Sequence, residues 1–313
     1  MESCKVIECL SARELLQNLS PRSEFFDDSE ALDWIFRGHA NADWTLHPTA
    51  FRSSANLLDR QLAMPPWPEW RNRHQVQTEA ATLLRFVNEA DRAGLPVPYD
   101  LAKLRVELNE PREESRYIRA IESGEAEWPP EEIWPVVALA QHYGLATRFL
   151  DWTRHPLAAA YFASIDSLEQ QDDVASIAVW AFSTESDATR KGLTSLSNNF
   201  RRSVAVVTAP YASNPNLRAQ EGVHVARPLT RVTWDDPAER YDLAAHLEEV
   251  GAFGMKLGRP ALLKFVAPRS ESPALLWYLA REGVSAARLF PGYAGAARSV
   301  LEAGRQIRPK TPW

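Results

Sequence analysis

Residues 139–163, LAQHYGLATRFLDWTRHPLAAAYFA, set two histidines, two arginines, an aspartate, two threonines and a tryptophan between two apolar runs. The first run ends a helix. PPEEIWPVVALAQHYG (129–144) has prolines before it, acids in its first turn, Pro135 early enough to be tolerated and Gly144 to close it. HPLAAAYFA (155–163) reads as the next helix, with Pro156 in its first turn. There Ala158, Ala159 and Ala160 allow close packing, and Tyr161 and Phe162 serve as core aromatics. Between the two, Asp151, Thr153 and His155 gather at a helix N-terminus, where free N–H groups bind an anion or accept a cap. Asp151 or Thr153 is therefore either that cap or part of a site. Gln141, His142 and Tyr143 carry polar tips suited to a cleft, and Arg148 is placed to clamp Asp151. His142 alone reads equally as a hydrogen-bonded core histidine.

Outward from this stretch, strands and helices alternate without the rhythm of a doubly wound sheet. VIECLSARELLQNLSP (6–21) starts as an extended segment, then Ser11 and Glu14 make a capping-box pattern. Trp34, Ile35 and Phe36 form a short buried strand that Gly38 ends. MPPWPEW (64–70) is a surface loop anchored by aromatics. RHQVQTEAATLLRFVNEADRAG (73–94) is helical by its apolar spacing, with Gly94 as its stop. Strands are expected at ASIAVWAF (175–182), SVAVVTAP (203–210) and ALLKFVAP (261–268), then a helix over PALLWYLAREGV (273–284) and a turn and final helix in ARLFPGYAGAARSVLEAG (287–304). The expectation is an α+β fold with a mixed sheet, one domain over residues 1–313 with a helical insertion at 65–130.

Composition narrows the function. The chain is 45% hydrophobic and 24% charged, in the range of globular proteins, and its net charge of −6 disfavours broad, non-specific nucleic-acid binding. Cys4 and Cys9 have no second pair or histidine spacing to make a zinc knuckle and read as free thiols. The acidic N-terminus lacks a signal-peptide core, and no apolar run is long enough to span a membrane. A soluble, cytoplasmic protein is expected. Eleven tryptophans favour aromatic packing or an aromatic-walled cleft.

Two further stretches carry chemistry. In WIFRGHANADWTLHPTAFR (34–52), Arg37 brings a planar five-donor fork to a strand end, suited to phosphate or carboxylate, and Gly38 lets backbone or ligand approach. Alternatively Arg37 pairs with Asp33, Asp43 or Asp151. His39, Trp44 and His47 read as packing or capping residues. In SNPNLRAQEGVHVARP (213–228), a turn-rich connection presents Arg218, Gln220, Glu221 and Gly222, which either hold a sugar hydroxyl or a water or form a solvated turn. LFPGYAG (289–295) reads as a structural turn. Phosphate-binding loops, nucleophile elbows and zinc-protease patterns are missing. His142, Asp151 and His155 could bind a divalent metal, but their spacing matches no helical ligand pair; no metal site is assigned.

Phe36-Arg37-Gly38, with Trp44, Leu46, Pro48 and Arg52, followed by QHYGLATRFLDWTRHPLAAAYFA, RAQEGVHV (218–225) and LFPGYAGAA (289–297), resembles the FRG-domain family of bacteria and their viruses. The resemblance runs in order from about residue 30 to 300. It implies a setting in bacterial conflict or anti-phage defence, with a toxin-like effector role. The order of motifs is also similar to ADP-ribosyltransferases of the arginine-serine-glutamate type. That similarity implies an ADP-ribosyltransferase-like sheet core and a nucleotide-binding, NAD-cleaving enzyme, either a transferase or a glycohydrolase. Arg37 and Gly38 would then meet the NAD diphosphate or ribose, with Arg218, Gln141, Tyr143, Asp151 and Thr153 also on the nucleotide side. Glu221 or Gln220 would bond the ribose 2′-hydroxyl and support the oxocarbenium-like state, and His142 would stack on or bond the nicotinamide amide. Asp151 and Trp152 stand where small hydroxyl residues are expected, and no clear E-x-E is present. The rival expectations are a metal-dependent hydrolase or nuclease using His142, Asp151 and His155, and a non-enzymatic module that recognises a nucleotide or phage component. No macromolecular acceptor is named by the sequence.

Overall fold

The computed structural model describes residues 4–26, 34–52, 70–98, 116–123, 125–170, 174–186, 204–229, 233–238, 241–251 and 260–309. Its strands are β1 (Cys4–Glu8), β2 (Trp34–His39), β3 (Leu150–Thr153), β4 (Ser176–Ser183), β5 (Ala205–Val207), β6 (Gly222–Ala226) and β7 (Leu262–Pro268). They form one mixed sheet in the order β1-β7-β4-β2-β3-β6-β5, with β1 and β7 parallel and the other neighbours antiparallel. The described helices are α1 (Ala12–Asn18), α2 (Asn72–Arg92), α3 (Arg116–Ser123), α4 (Trp134–His142), α5 (Pro156–Glu169), α6 (Pro215–Ala219), α7 (Leu243–Glu249), α8 (Ser272–Arg281), α9 (Ala286–Leu289) and α10 (Tyr293–Ala303). No helix among the described residues is long and apolar enough to cross a membrane.

The side-chain alternation of the strands sorts the core into two layers. Trp34, Phe36, Ile177, Val179 and Phe265 face α1, α5 and α8. Ile35, Leu150, Trp152, Trp180 and Val223 enter the opposite layer with Leu46, Tyr241 and α7. With both faces covered, β4 is buried almost throughout, which explains its unbroken apolar run. A third cluster joins α2, α3 and α4 to the β5–β6 edge through Val76, Ile121, Trp128, Val137 and Ala226. The helices α2 and α3 lie within the expected 65–130 insertion; residues 65–69, 99–115 and 124 of it, most of the 64–70 loop, Asp33 and Ser203 lie outside the described residues.

Several expectations change in detail. Ser11 caps α1 by accepting from Glu14 N, but Glu14 returns to Leu10 N rather than to Ser11 N. Gly38 does not end β2, which continues to His39. A Cβ on Gly38 would overlap the Ala159 carbonyl oxygen and stand 2.7 Å from Ala163 N, so the glycine lets α5 settle onto the strand. A strand, β3, lies inside the 139–163 stretch between the two expected helices. Asp151 and Thr153 sit on it, and neither is the N-cap of α5; that position belongs to His155, which makes no side-chain cap. Thr153 Oγ1 instead accepts from His155 N (2.9 Å) and donates to the Gln220 carbonyl. Arg148 does not clamp Asp151. It is buried in a two-bond pair with Glu79 on α2.

Candidate functional site

A parting between two sheet strands shapes the site. β3 pairs with β6 at four positions and β2 with β4 at six, but β2 and β3 share only Phe36 opposite Thr153. Beyond that pair the ladder stops, and a cleft of about 640 Å³ opens between the strands. Residues from both faces of β2 and β3 line it: Phe36, Arg37 and Gly38 on one side, Asp151, Trp152 and Thr153 on the other. Its volume is that of a small-molecule site.

Parting the strands leaves backbone groups that need partners. Arg37 supplies one: its Nη1 donates to the Asp151 carbonyl at 2.6 Å, while its Nε donates to His39 Nε2 at 3.0 Å. Among the described residues Arg37 therefore bonds the backbone of Asp151 and not a carboxylate; Asp33 lies outside them. Burial lowers its pKa to about 10, against the pull of Asp151, and it stays charged at neutral pH. Burial and the neighbouring Arg37 charge hold His39 neutral, with a pKa well below the usual histidine value.

The Asp151 side chain is fixed from two directions. Gln141, on the last turn of α4, donates to Oδ1 at 2.5 Å, and its own amide oxygen accepts from Thr147. His224 lies directly opposite Asp151 in the β3–β6 register, and its Nδ1 is 3.1 Å from the same Oδ1. The imidazole is 4% exposed and packs against Phe149 at 5.5 Å. Oδ2 of Asp151 has no partner among the described residues, and the side chain is 62% exposed within the cleft. Desolvation by the surrounding protein opposes its ionisation despite that exposure, but the hydrogen bond and electrostatic pull of His224, the charge of Arg37 and the Gln141 bond outweigh it and keep the carboxyl below its ordinary value. Asp151 is an oriented, ionised carboxylate with one oxygen available.

The remaining walls come from separate parts of the chain. His142 and Tyr143 form an exposed rim, their rings 5.2 Å apart edge to face. Burial lowers the His142 pKa, offset in part by Asp151. From α5 come Ala159, Phe162 and Asp166; from α6 and the following turn, Asn216, Leu217 and Gln220; from the 289–295 turn, Phe290. Gln220 Nε2 donates to the Leu289 carbonyl at 3.2 Å, joining those last two walls.

Of the expected site residues, Arg37, Gly38, Gln141, His142, Tyr143, Asp151, Thr153 and Gln220 share this cleft, and Arg218 and Glu221 do not line it. The cause at 221 is local. Between α6 and β6 the chain turns through a left-handed Glu221, φ 49°, and the side chain is exposed away from the lining. His155 is also outside the lining, with its Nδ1 enclosed and without a partner among the described residues, so it does not join His142 and Asp151. Among the described residues no group of three or more His, Cys, Asp or Glu side chains is arranged to hold a metal. Sequence reading missed His224, Asp166 and Phe290. The polar centre of the buried VHV run (223–225) was a signal for His224. Phe290 lies in a turn taken as structural.

The fold and cleft define a mixed α/β protein with a small-molecule-sized site inside its sheet. The family model of the FRG domain matches residues 95–172. That segment contains the whole 139–163 stretch and supports the FRG-domain resemblance, and it ends before β4. No curated protein and no solved structure matches the chain.

Proposed function

We propose that the cleft binds a nucleotide and breaks its N-glycosidic bond, with NAD as the substrate. The observation that carries this reading is Asp151, an ionised carboxylate fixed by Gln141 and His224 with Oδ2 open to the cleft. As the C1′–N bond breaks, positive charge develops on the ribose, and a preoriented carboxylate stabilises it more than it stabilises the ground state. Asp151 thus takes the part that the ADP-ribosyltransferase similarity implied for Glu221 or Gln220. Arg37 is the cationic group for a phosphate, Gln220 and Thr153 lie on the ribose side, and His142 and Tyr143 offer aromatic faces at the rim. The similarity to ADP-ribosyltransferases gains support from adjacency: the three motif segments fall on or beside β2, β3 and β6, consecutive in the sheet. Transfer to a macromolecule and hydrolysis share this step and differ in the acceptor. The effector role in anti-phage conflict rests on the FRG resemblance and is a separate question.

The test is incubation with NAD and chromatographic detection of free nicotinamide. Asp151→Asn is expected to lower the rate by about 100- to 1,000-fold, the scale of losing one preorganised electrostatic partner. Glu221→Gln is expected to retain most of it. A wild-type chain that releases no nicotinamide refutes the cleavage reading, and one that also shows no saturable NAD binding refutes the nucleotide site itself.

A further inference from the structure

We propose that Asp166 is the proton donor to the departing base, so that the cleft also takes ribonucleosides and nucleoside monophosphates whose leaving group is a neutral purine or pyrimidine. This deepens the N-glycosidic reading above and rests on it. Ala159, Phe162 and Asp166 are spaced three and four residues apart, so they form one stripe of α5, and all three line the cleft that holds Asp151. The two carboxyl groups are held very differently. Asp151 is bonded by Gln141 and His224, whereas the Asp166 side chain has no hydrogen bond or ion pair among the described residues. The charged and titratable groups around Asp166 are Glu169 and Tyr161 on α5, Arg37 on β2, and Arg298 and Glu302 on α10. The cation nearest to neutralising it, Arg298, is engaged elsewhere: its Nε donates to Glu302 at 2.6 Å and its guanidinium lies over the Phe290 ring at 5.1 Å. The Asp166 side chain is exposed to the cleft; desolvation by the surrounding protein, with Glu169 and Glu302 adding to it, raises its pKa to about 6 against the pull of Arg298 and Arg37. One cleft thus holds an ionised carboxylate and a carboxyl that keeps its proton into mildly acidic conditions, a division that assigns acid and electrostatic roles.

A protonated carboxyl has no work to do on NAD, because nicotinamide leaves a pyridinium ribose as a neutral molecule. A purine would leave as an anion and needs a proton at a ring nitrogen. In the proposed step the Asp166 proton moves to that nitrogen while the C1′–N bond breaks and its electron pair leaves with the base. Water adds to C1′, and its proton passes to Oδ2 of Asp151. Exchange with solvent then deprotonates Asp151 and reprotonates Asp166. The products are neutral base and ribose, or ribose phosphate from a monophosphate, and no oxidant or reductant takes part.

The experiment compares hypoxanthine release from inosine with nicotinamide release from NAD, using the full chain and its Asp166→Asn and Asp166→Glu variants. The wild type is expected to cleave both, with the inosine rate falling as pH rises above about 6. Asp166→Asn is expected to lower the inosine-to-NAD rate ratio by about 100-fold or more, the usual share of a general acid, and Asp166→Glu to restore part of it. A wild type that releases nicotinamide but no hypoxanthine overturns the inference and leaves the NAD reading intact. An Asp166→Asn variant that slows both substrates equally also overturns it, assigning the residue to structure. Cleavage of neither substrate removes both proposals together.

Discussion

Replacing Glu79 with alanine would remove the centre of a buried polar network and leave its cation behind. The Arg148 and Glu79 side chains are 3% and 7% exposed. Glu79 Oε2 accepts from Arg148 Nε and Trp128 Nε1, each at 2.7 Å, and Oε1 accepts from Arg148 Nη2 at 3.1 Å and Gln75 Nε2 at 2.9 Å. Once Glu79 is gone, Arg148 keeps the Trp128 and Arg227 carbonyls at 3.4 and 3.3 Å, neither of which carries a balancing charge. Breaking a buried pair from one side costs about 3–5 kcal/mol, because the remaining charge is stranded in a poorly polarisable interior. Replacing both members with apolar residues of similar volume avoids that penalty. Urea unfolding followed by tryptophan fluorescence measures both variants, reading the midpoint at unchanged slope. Glu79→Ala is expected to lose about 3–5 kcal/mol, and Glu79→Leu/Arg148→Met to recover most of the loss. A loss below about 1 kcal/mol in Glu79→Ala, or a double variant no better than the single one, would refute this account of how α2 is tied to the chain entering β3.

Gly38→Ala should destabilise by about 1–3 kcal/mol or more, since the new methyl meets α5 backbone rather than a movable side chain; a thermal midpoint equal to that of the wild type would contradict the packing. Burial, with Glu14 and Glu8 adding to it against the Asn18 hydrogen bond, raises the Cys9 thiol to about 11. Iodoacetamide at pH 8 is therefore expected to label the partly exposed Cys4 well before Cys9 in the folded protein, read by peptide mass spectrometry, with the difference lost in denaturant. Asp166 binds its proton more tightly folded than unfolded, so its contribution to stability is present below about pH 4 and is lost as pH rises towards about 6. Thermal midpoints measured from pH 4 to 7 should show that decline in the wild type and a flatter profile in Asp166→Asn.

Much of the architecture was legible because local rules governed it. Ser11 begins α1, Gly94 and Gly144 close α2 and α4, and the apolar runs at 176–183 and 262–268 are strands, each following from backbone chemistry within a few residues. The reading failed where a residue's role depended on distant chain. Gly38 does not end its strand; the close backbone approach expected of it is made by a helix more than 100 residues later in the chain, which local sequence could not name. Arg148 looked like the partner of Asp151, three residues away, yet it points into a network centred on Glu79.

The same division applies to the cleft. Sequence alone supplied the residue types: an arginine at a strand, an aspartate flanked by histidines and threonines, a Gln-Glu-Gly turn, and the order in which they occur. Only the tertiary structure decided which of these meet. The parting of β2 from β3 opened the site, strand register set His224 against Asp151, and a left-handed turn sent Glu221 outward while Gln220 turned in. Asp151 is thereby a positioned carboxylate and not the cap of α5. Strand partners and faces are set by contacts between segments far apart in the chain, and a one-residue shift of register would reverse every one of these assignments.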